Sequence, residues 1–219
     1  MKKILAINGS PRKIGNTTQL LQHFFSGAKT HTSLTEEICA QEADVKYCQG
    51  CLRCNVLGKC SLKDDDWEKI SEKIVQSDVL VFASPVYFHH VTAQLKTIID
   101  RFRSFIHIQL TESGLDHKPR LHWEKDFVLL LSMGSSNDVD AVPVIELFEF
   151  MTSILGSGNK LHVIKGTRLA LSSQVIKPKE ELVRLYPKLG LSSELAVQDF
   201  NRNQELLHRC YQLGEQLAS

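Results

Sequence analysis

No apolar run among the 219 residues approaches the ~20 that a membrane-spanning helix needs. The first apolar stretch, Ile4 to Ile7, is stopped at once by Asn8-Gly9-Ser10-Pro11. That is too short for the core of a signal peptide, so a cytoplasmic location with reduced thiols is expected. Charge of one sign is also lacking. A formal net charge of +1 leaves no field to draw nucleic acid or an anionic membrane, and neither is an expected partner. Internal repeats and low-complexity tracts are missing too, which removes solenoids and disordered linkers. Tryptophan occurs only as Trp67 and Trp123, both read as packing residues.

What remains is ordinary globular composition, 42% hydrophobic and 23% charged. A chain of this length buries a full core, and residues 1–219 read as a single domain with elaborations. Lys3 to Asn8, Val79 to Ala83 and Phe127 to Leu131 are short apolar runs closed by turn residues, the pattern of strands buried on both faces. Leu34 to Cys39 and His162 to Ile164 are weaker strand candidates. Helical spacing lies between them: Leu20, Leu21, Phe24 and Phe25 behind a cap at Asn16 or Thr17, then Trp67, Ile70, Ile74 and Val75 behind Asp66. Leu95, Ile98, Ile99 and Phe102 follow Thr92, a further helix spans Val144 to Leu155, and a C-terminal helix is expected at about 199–218. Alternation of this kind predicts a doubly wound five-stranded parallel sheet with helices on both faces. Ligands of such sheets sit beyond the carboxyl ends of the strands. Chemistry is therefore expected in three loops: Asn8 to Thr18, Ser84 to His90 and Ser132 to Asn137.

The first loop, Gly9-Ser10-Pro11-Arg12-Lys13-Ile14-Gly15-Asn16-Thr17-Thr18, joins a strand to a helix start. Backbone N–H groups, the helix dipole and hydroxyls make such a loop an anion site, and Arg12 adds a charge-assisted contact. It has neither the Gly-Lys-Ser/Thr ending of a nucleoside triphosphatase nor the Gly-x-Gly-x-x-Gly of a dinucleotide fold. A monophosphate held without magnesium suits it. The cysteines are concentrated elsewhere. Cys48, Cys51, Cys54 and Cys60 fall in the segment at about 45–66, while Cys39 and Cys210 stand apart as small hydrophobes. Four close thiols in a reducing compartment read as a metal or redox centre. An iron–sulfur cubane takes four such thiolates. Zinc bound by four cysteines, free redox thiols and a disulfide remain open. Asp64-Asp65-Asp66 reads as a solvated helix start, and Arg101 and Arg103 as surface ion-pair partners or guides for an acidic carrier.

Gly9-Ser10-Pro11-Arg12 with Gly15-Asn16-Thr17-Thr18, then Ser84-Pro85-Val86-Tyr87-Phe88 and Thr92-Ala93-Gln94-Leu95-Lys96, resemble the NADPH-dependent FMN reductases and their iron–sulfur flavoprotein relatives. The resemblance implies a flavodoxin-like fold and an FMN-dependent oxidoreductase. It implies FMN phosphate on Ser10, Arg12, Asn16, Thr17 and Thr18. The flavin ring would lie along Pro85, Val86, Tyr87 and Phe88, with Ser132, Met133 and Gly134 at its edge. It further implies a [4Fe–4S] cluster on Cys48, Cys51, Cys54 and Cys60, and NAD(P)H as a possible donor. The partners would be a small-molecule or protein electron donor and acceptor, in a homodimer or dimer of dimers paired through the helix after Thr92. Two other functions fit the same residues. One is a cluster-free NAD(P)H-dependent reductase of flavin, quinones or nitro compounds. The other is a non-catalytic FMN-binding module with structural zinc. No side chain stands out as a catalytic acid or base, since the flavin would carry the chemistry.

Overall fold

The computed structural model describes residues 1–219. Five parallel strands form one sheet: β1 (Lys2–Asn8), β2 (Ser33–Cys39), β3 (Val79–Pro85), β6 (Asp126–Ser132) and β7 (Lys160–Gly166), in the order β2-β1-β3-β6-β7. The flavodoxin-like doubly wound order reverses direction between β1 and β3, which opens a crevice beyond their carboxyl ends. The central strands are apolar on both faces because both are covered. Leu5, Ile7, Leu80, Phe82, Phe127, Leu129 and Leu131 face one core, against α3 (Trp67–Gln76), α4 (Ala93–Arg101) and α5 (Val142–Leu155). Their neighbours Ile4, Ala6, Val79, Val81, Ala83, Val128 and Leu130 face the other, against α1 (Asn16–Ala28) and α7 (Ser193–Ala218). The period of two in side-chain direction is what divides one strand between two cores.

Four features depart from the sequence pattern. Residues Ile106–Thr111 and Gly114–Pro119 form a separate antiparallel hairpin, β4 and β5, where no strands are expected. A short helix, α2 (Arg53–Leu57), interrupts the cysteine segment. The last helix also begins earlier than expected, at Ser193, because the Ser192 hydroxyl accepts the Leu195 N–H at 3.1 Å and caps it. Another short helix, α6 (Lys179–Leu185), precedes it.

The helix after Thr92 is covered differently from expectation. Leu95, Ile98, Ile99 and Phe102 are all buried within their own chain, around Phe82 and Trp67. α5 and the hairpin do carry exposed large apolar side chains, with Phe150 at 54%, Leu115 at 60% and Leu110 at 80%. On the opposite face α1 and α7 cross with their backbones in contact. A Cβ on Gly27 would lie 1.9 Å from the Tyr211 carbonyl oxygen, and one on Gly214 would lie 2.0 Å from that of Phe24. Only glycine fits either position.

Candidate functional site

The loop after β1 is built from its own polar groups. Gly9 donates its N–H to the Ala83 carbonyl at 2.7 Å, and a Cβ there would press on Leu95 and on the Thr92 hydroxyl. The Asn8 amide oxygen accepts the Ser10 N–H at 2.9 Å, and the Arg12 carbonyl accepts both the Ser10 hydroxyl and the Thr18 hydroxyl. Gly15, with extended backbone, stands at the N-cap position of α1, and no side chain caps the helix. The first intrahelical bond runs from Gln19 N–H to Gly15, which leaves the N–H groups of Asn16, Thr17 and Thr18 as the orphan donors of a helix start. Their partial positive charge suits an anion.

Asn16 and Thr17 do not cap this helix, and the reason is tertiary. The buried Asn16 amide donates to Leu169 and Leu171 carbonyls at 3.0 and 2.8 Å, and its oxygen accepts the Val175 N–H at 3.0 Å. Its side chain is fully committed, leaving its backbone N–H for a ligand. The Thr17 hydroxyl lies 2.6 Å from that of Ser132, which ties the first loop to the third. Thr18 spends its hydroxyl hydrogen on Arg12, so it shapes the loop rather than reaching outward. Arg12 is exposed at the rim.

The three strand-end loops converge on one cleft of about 200 Å³. Ser10, Arg12, Asn16 and Thr17 line one side, Pro85, Val86 and Tyr87 another, and Ser132, Met133 and Gly134 the third. Leu169 and Ala170 complete the wall. These two have no motif in the sequence. They arrive because the loop after β6 and the chain after β7 are stitched together: Met133 donates to Gly166, and Leu169 to Met133, both at 2.8 Å. The enclosed volume is below that of a whole cofactor pocket, so a larger ligand leaves part of itself outside.

The cysteine segment docks separately, on α4 and the hairpin. Arg101, fully buried, donates to the Lys46 carbonyl at 2.6 Å and to the Asp65 carboxylate at 2.5 Å, and its guanidinium lies 5.2 Å from the Trp67 ring centre. The reading of Arg101 as a surface residue, and of Asp65 as part of a solvated acidic run, is thus corrected: both side chains are buried as one pair. Burial alone would raise the Asp65 pKa, but the hydrogen bonds from Arg101 and from the Lys46 and Trp67 N–H groups together hold it below the usual value. Asn55 closes both its amide groups on Ile108 of the hairpin, and Arg120 donates to the Cys54 carbonyl at 2.5 Å. Cys48, Cys51, Cys54 and Cys60 line one small cavity with Arg101 and Arg103. No three metal-binding side chains converge closely enough to hold a single ion. Cys51 is exposed, and its thiol pKa is lowered, first by the Arg53 N–H and then by the Ser61 hydroxyl.

The sequence profile of the NADPH-dependent FMN reductases matches residues 2–173, most of the chain and all three strand-end loops. The chain belongs to the NADPH-dependent FMN reductase family. Among curated relatives of this family member, an iron–sulfur flavoprotein of Methanocaldococcus jannaschii is 39% identical over 101 residues, 46% of this chain and 52% of its own. An iron–sulfur flavoprotein of Archaeoglobus fulgidus is 42% identical over 101 residues, 46% and 49% of the two chains. The chain spans about half the length of these curated relatives. The FMN-dependent NADH-azoreductase of Bacillus anthracis, solved in complex with FMN, superposes with a TM-score of 0.66 over 100% of both chains. At 14% identity that likeness speaks for the fold alone.

Two further details of this FMN reductase family member surround the cleft. Tyr87 and His90 exchange both backbone hydrogen bonds, at 2.8 and 3.0 Å, around Phe88 and His89, whose φ angles are 49° and 61°. Such a turn normally carries glycine or asparagine. Phe88 points wholly into solvent at its tip and does not line the cleft, unlike Pro85, Val86 and Tyr87. His90 is kept toward its neutral form by burial, with Lys96 acting in the same sense and Asp100 against it. A left-handed residue with a side chain costs about 1–2 kcal/mol. His89→Gly is therefore expected to raise the thermal midpoint by about 2–4 °C in a melting experiment. A lowered midpoint would show that the His89 side chain holds the turn.

Behind the cleft lies a buried polar group that no motif announces. Asp199, buried in α7, accepts from Arg168 Nε at 3.0 and 3.1 Å, from Tyr186 Oη at 2.7 Å and from Arg202 Nη2. Gln174 donates to the same tyrosine hydroxyl at 2.8 Å. The network fixes the stretch from Arg168 to Val175 that Asn16 grips.

Proposed function

We propose that this chain is an FMN-dependent oxidoreductase that passes electrons between NAD(P)H or another donor and a small-molecule or protein acceptor. One observation carries the reading: the loops after β1, β3 and β6 meet in a single cleft at the switch point of the sheet, headed by the free N–H groups of α1. Arg12, the Thr17 hydroxyl and the N–H groups of Asn16, Thr17 and Thr18 would receive the FMN phosphate, with the Ser10 and Thr18 hydroxyls shaping the loop through the Arg12 carbonyl. Pro85, Val86 and Tyr87 would lie along the ring, with Ser132, Met133 and Gly134 at its edge. When bound, the flavin exchanges two electrons in one step or two. Residues 1–219 would act as one domain, with the segment from 168 to 203 serving as a brace for the phosphate end.

The second part of the proposal is a [4Fe–4S] cluster on Cys48, Cys51, Cys54 and Cys60. The donor set fits. Four soft thiols line one cavity, and Arg101 presents two buried nitrogens, Nε and Nη2, that lack a hydrogen-bond partner. Four cysteine thiolates are the full ligand set that a cubane requires. Such a cluster exchanges single electrons. The cluster-free reductase of quinones or nitro compounds remains the reading to fall back on. A homodimer also belongs to the proposal, paired across the groove between α4, α5 and the hairpin that Ile99, Ile108, Leu147 and Phe150 line. A monomer by light scattering at micromolar concentration would exclude it.

The test has two arms. Thr17→Val removes a hydroxyl at the phosphate end and strands that of Ser132. A hydrogen bond lost there costs about 1–3 kcal/mol, so FMN affinity by fluorescence titration should fall about tenfold. Unchanged affinity would remove Thr17 from the site. For the cluster, anaerobic reconstitution followed by iron and sulfide analysis should give stoichiometric uptake and a broad absorbance shoulder beside the flavin bands. Trace iron alone would leave the plain FMN reductase.

A further inference from the structure

The cavity lined by the four cysteines has a charged wall that the cluster reading does not itself explain. Arg103 donates from Nη1 to the Cys54 sulfur at 3.6 Å and to the Ile106 carbonyl at 3.1 Å, and from Nη2 to the Asn55 amide oxygen at 3.2 Å. Those bonds fix the guanidinium against the sulfur. Arg101 stands in the same wall, fully buried, with one nitrogen paired to Asp65 and Lys46 and two left without partners. A buried guanidinium with idle N–H groups is costly unless something anionic meets it. The Trp67 ring offers only a partial substitute.

We propose that Arg103 and Arg101 form a cationic wall that sets the reduction potential of a four-thiolate cluster held at this cavity. The proposal rests on the cluster reading above. A cubane on four thiolates is anionic, and reduction adds one more negative charge. Nearby positive charge and N–H donors to the sulfur favour the more negative state, so both raise the potential. Asp65 works against Arg101 by neutralising it, and their buried pairing leaves Arg103 as the uncompensated charge of the wall. Both arginines flank the end of α4, the helix that opens at Ala93 after its Thr92 cap, just behind the loop that follows β3. Neither residue touches the cleft at α1, so both are positioning residues for the cluster.

The experiment is a spectroelectrochemical titration of the anaerobically reconstituted full chain, with iron, sulfide and FMN content measured on every sample. Arg103→Gln keeps a donor but removes the charge, and it should move the cluster midpoint to more negative potential with iron content unchanged. Arg103→Lys, which keeps the charge, should restore most of the lost potential. Asp65→Asn, which frees the Arg101 charge, should move the midpoint in the opposite direction. The flavin midpoint should stay in place in all three, which a general loosening of the fold would not produce. If Asp65→Asn loses FMN or secondary structure, the Arg103 pair alone decides. A loaded cluster whose midpoint is the same in wild type, Arg103→Gln and Arg103→Lys would overturn the cationic wall while leaving the cluster in place. Wild-type protein that takes up only trace iron would overturn both.

Discussion

Gly27→Ala is expected to destabilise the chain by about 2–3 kcal/mol, although alanine is the better helix former. Two effects oppose each other. Helix propensity favours alanine over glycine by about 1 kcal/mol in a helix interior. Against it, the new methyl would sit 1.9 Å from the Tyr211 carbonyl oxygen, a backbone atom that no rotamer change can move. α1 and α7 must separate, and the layer of Leu20, Phe24, Leu207 and Cys210 packed between the helices and the sheet opens with them. Overpacking usually costs about 1–3 kcal/mol, and backbone displacement lies at the upper end. Gly214→Ala presses on the same crossing from the other side, 2.0 Å from the Phe24 carbonyl, so the double variant should cost less than the sum of the singles. Urea denaturation of the three variants checks this. A midpoint equal to or above wild type in Gly27→Ala would refute it.

Asp199→Ala is expected to cost about 2–3 kcal/mol, because it leaves the buried Tyr186 hydroxyl unpaired and the partly exposed Arg168 and Arg202 without their shared acceptor. The loss should reach the cleft. Arg168 holds φ at 58° beside Leu169 and Ala170, so FMN affinity should weaken in the folded fraction as well. The network also predicts an alkaline limit. The Tyr186 pKa is pushed up to about 12, first by burial and then by the hydrogen bond to Asp199, and burial pushes the Cys210 thiol to about 12. Both groups are held neutral in the fold and ionise more readily when unfolded. Their contribution is complete below the ordinary values of 9.0 for the thiol and 10.0 for the phenol, and it is lost as pH rises toward 12. A tenfold difference in proton affinity between the folded and unfolded chain is worth about 1.4 kcal/mol. Stability by urea titration should be flat through pH 8 and fall steadily above 9. Tyr186→Phe should flatten the upper part of that fall, and an unchanged slope there would exclude Tyr186 as its source.

The central strands were legible because burial on both faces leaves an unbroken apolar run, as in Leu129-Leu130-Leu131. The three loops followed from them, since turns must close such runs, and the structure brings those loops to one cleft. What stayed hidden depends on partners far along the chain. Asn16 before a helix has the local chemistry of a cap, yet its amide is drawn to Leu169 and Leu171, more than 150 residues away. Arg101 ends an amphipathic helix where basic residues usually meet water, and only the packing of Trp67 and Asp65 over it makes it internal. The hairpin carries a weak alternation, Ile106, Ile108 and Leu110, and its last apolar residue is exposed, so the pattern is too short to stand out. Phe88 is aromatic beside a cleft, but the turn geometry that aims it outward is set by backbone angles that the residue type does not favour.

The grip of Asn16 on Leu169, Leu171 and Val175 has a consequence for synthesis and folding. A ribosome that has made β1 and α1 has already made the phosphate loop's own residues, but the brace that holds that loop lies some 150 residues downstream. Contacts closed over so long a stretch form late, after the entropy of bringing distant segments together has been met. Until then this face of α1 is also uncovered, since its partner α7 begins only at Ser193. The nascent protein thus carries an exposed apolar helix face and an unbraced anion loop until the residues beyond Leu169 have been made. Tight capture of the cofactor would follow the closing of that brace, a seal on a fold already formed rather than a template for it.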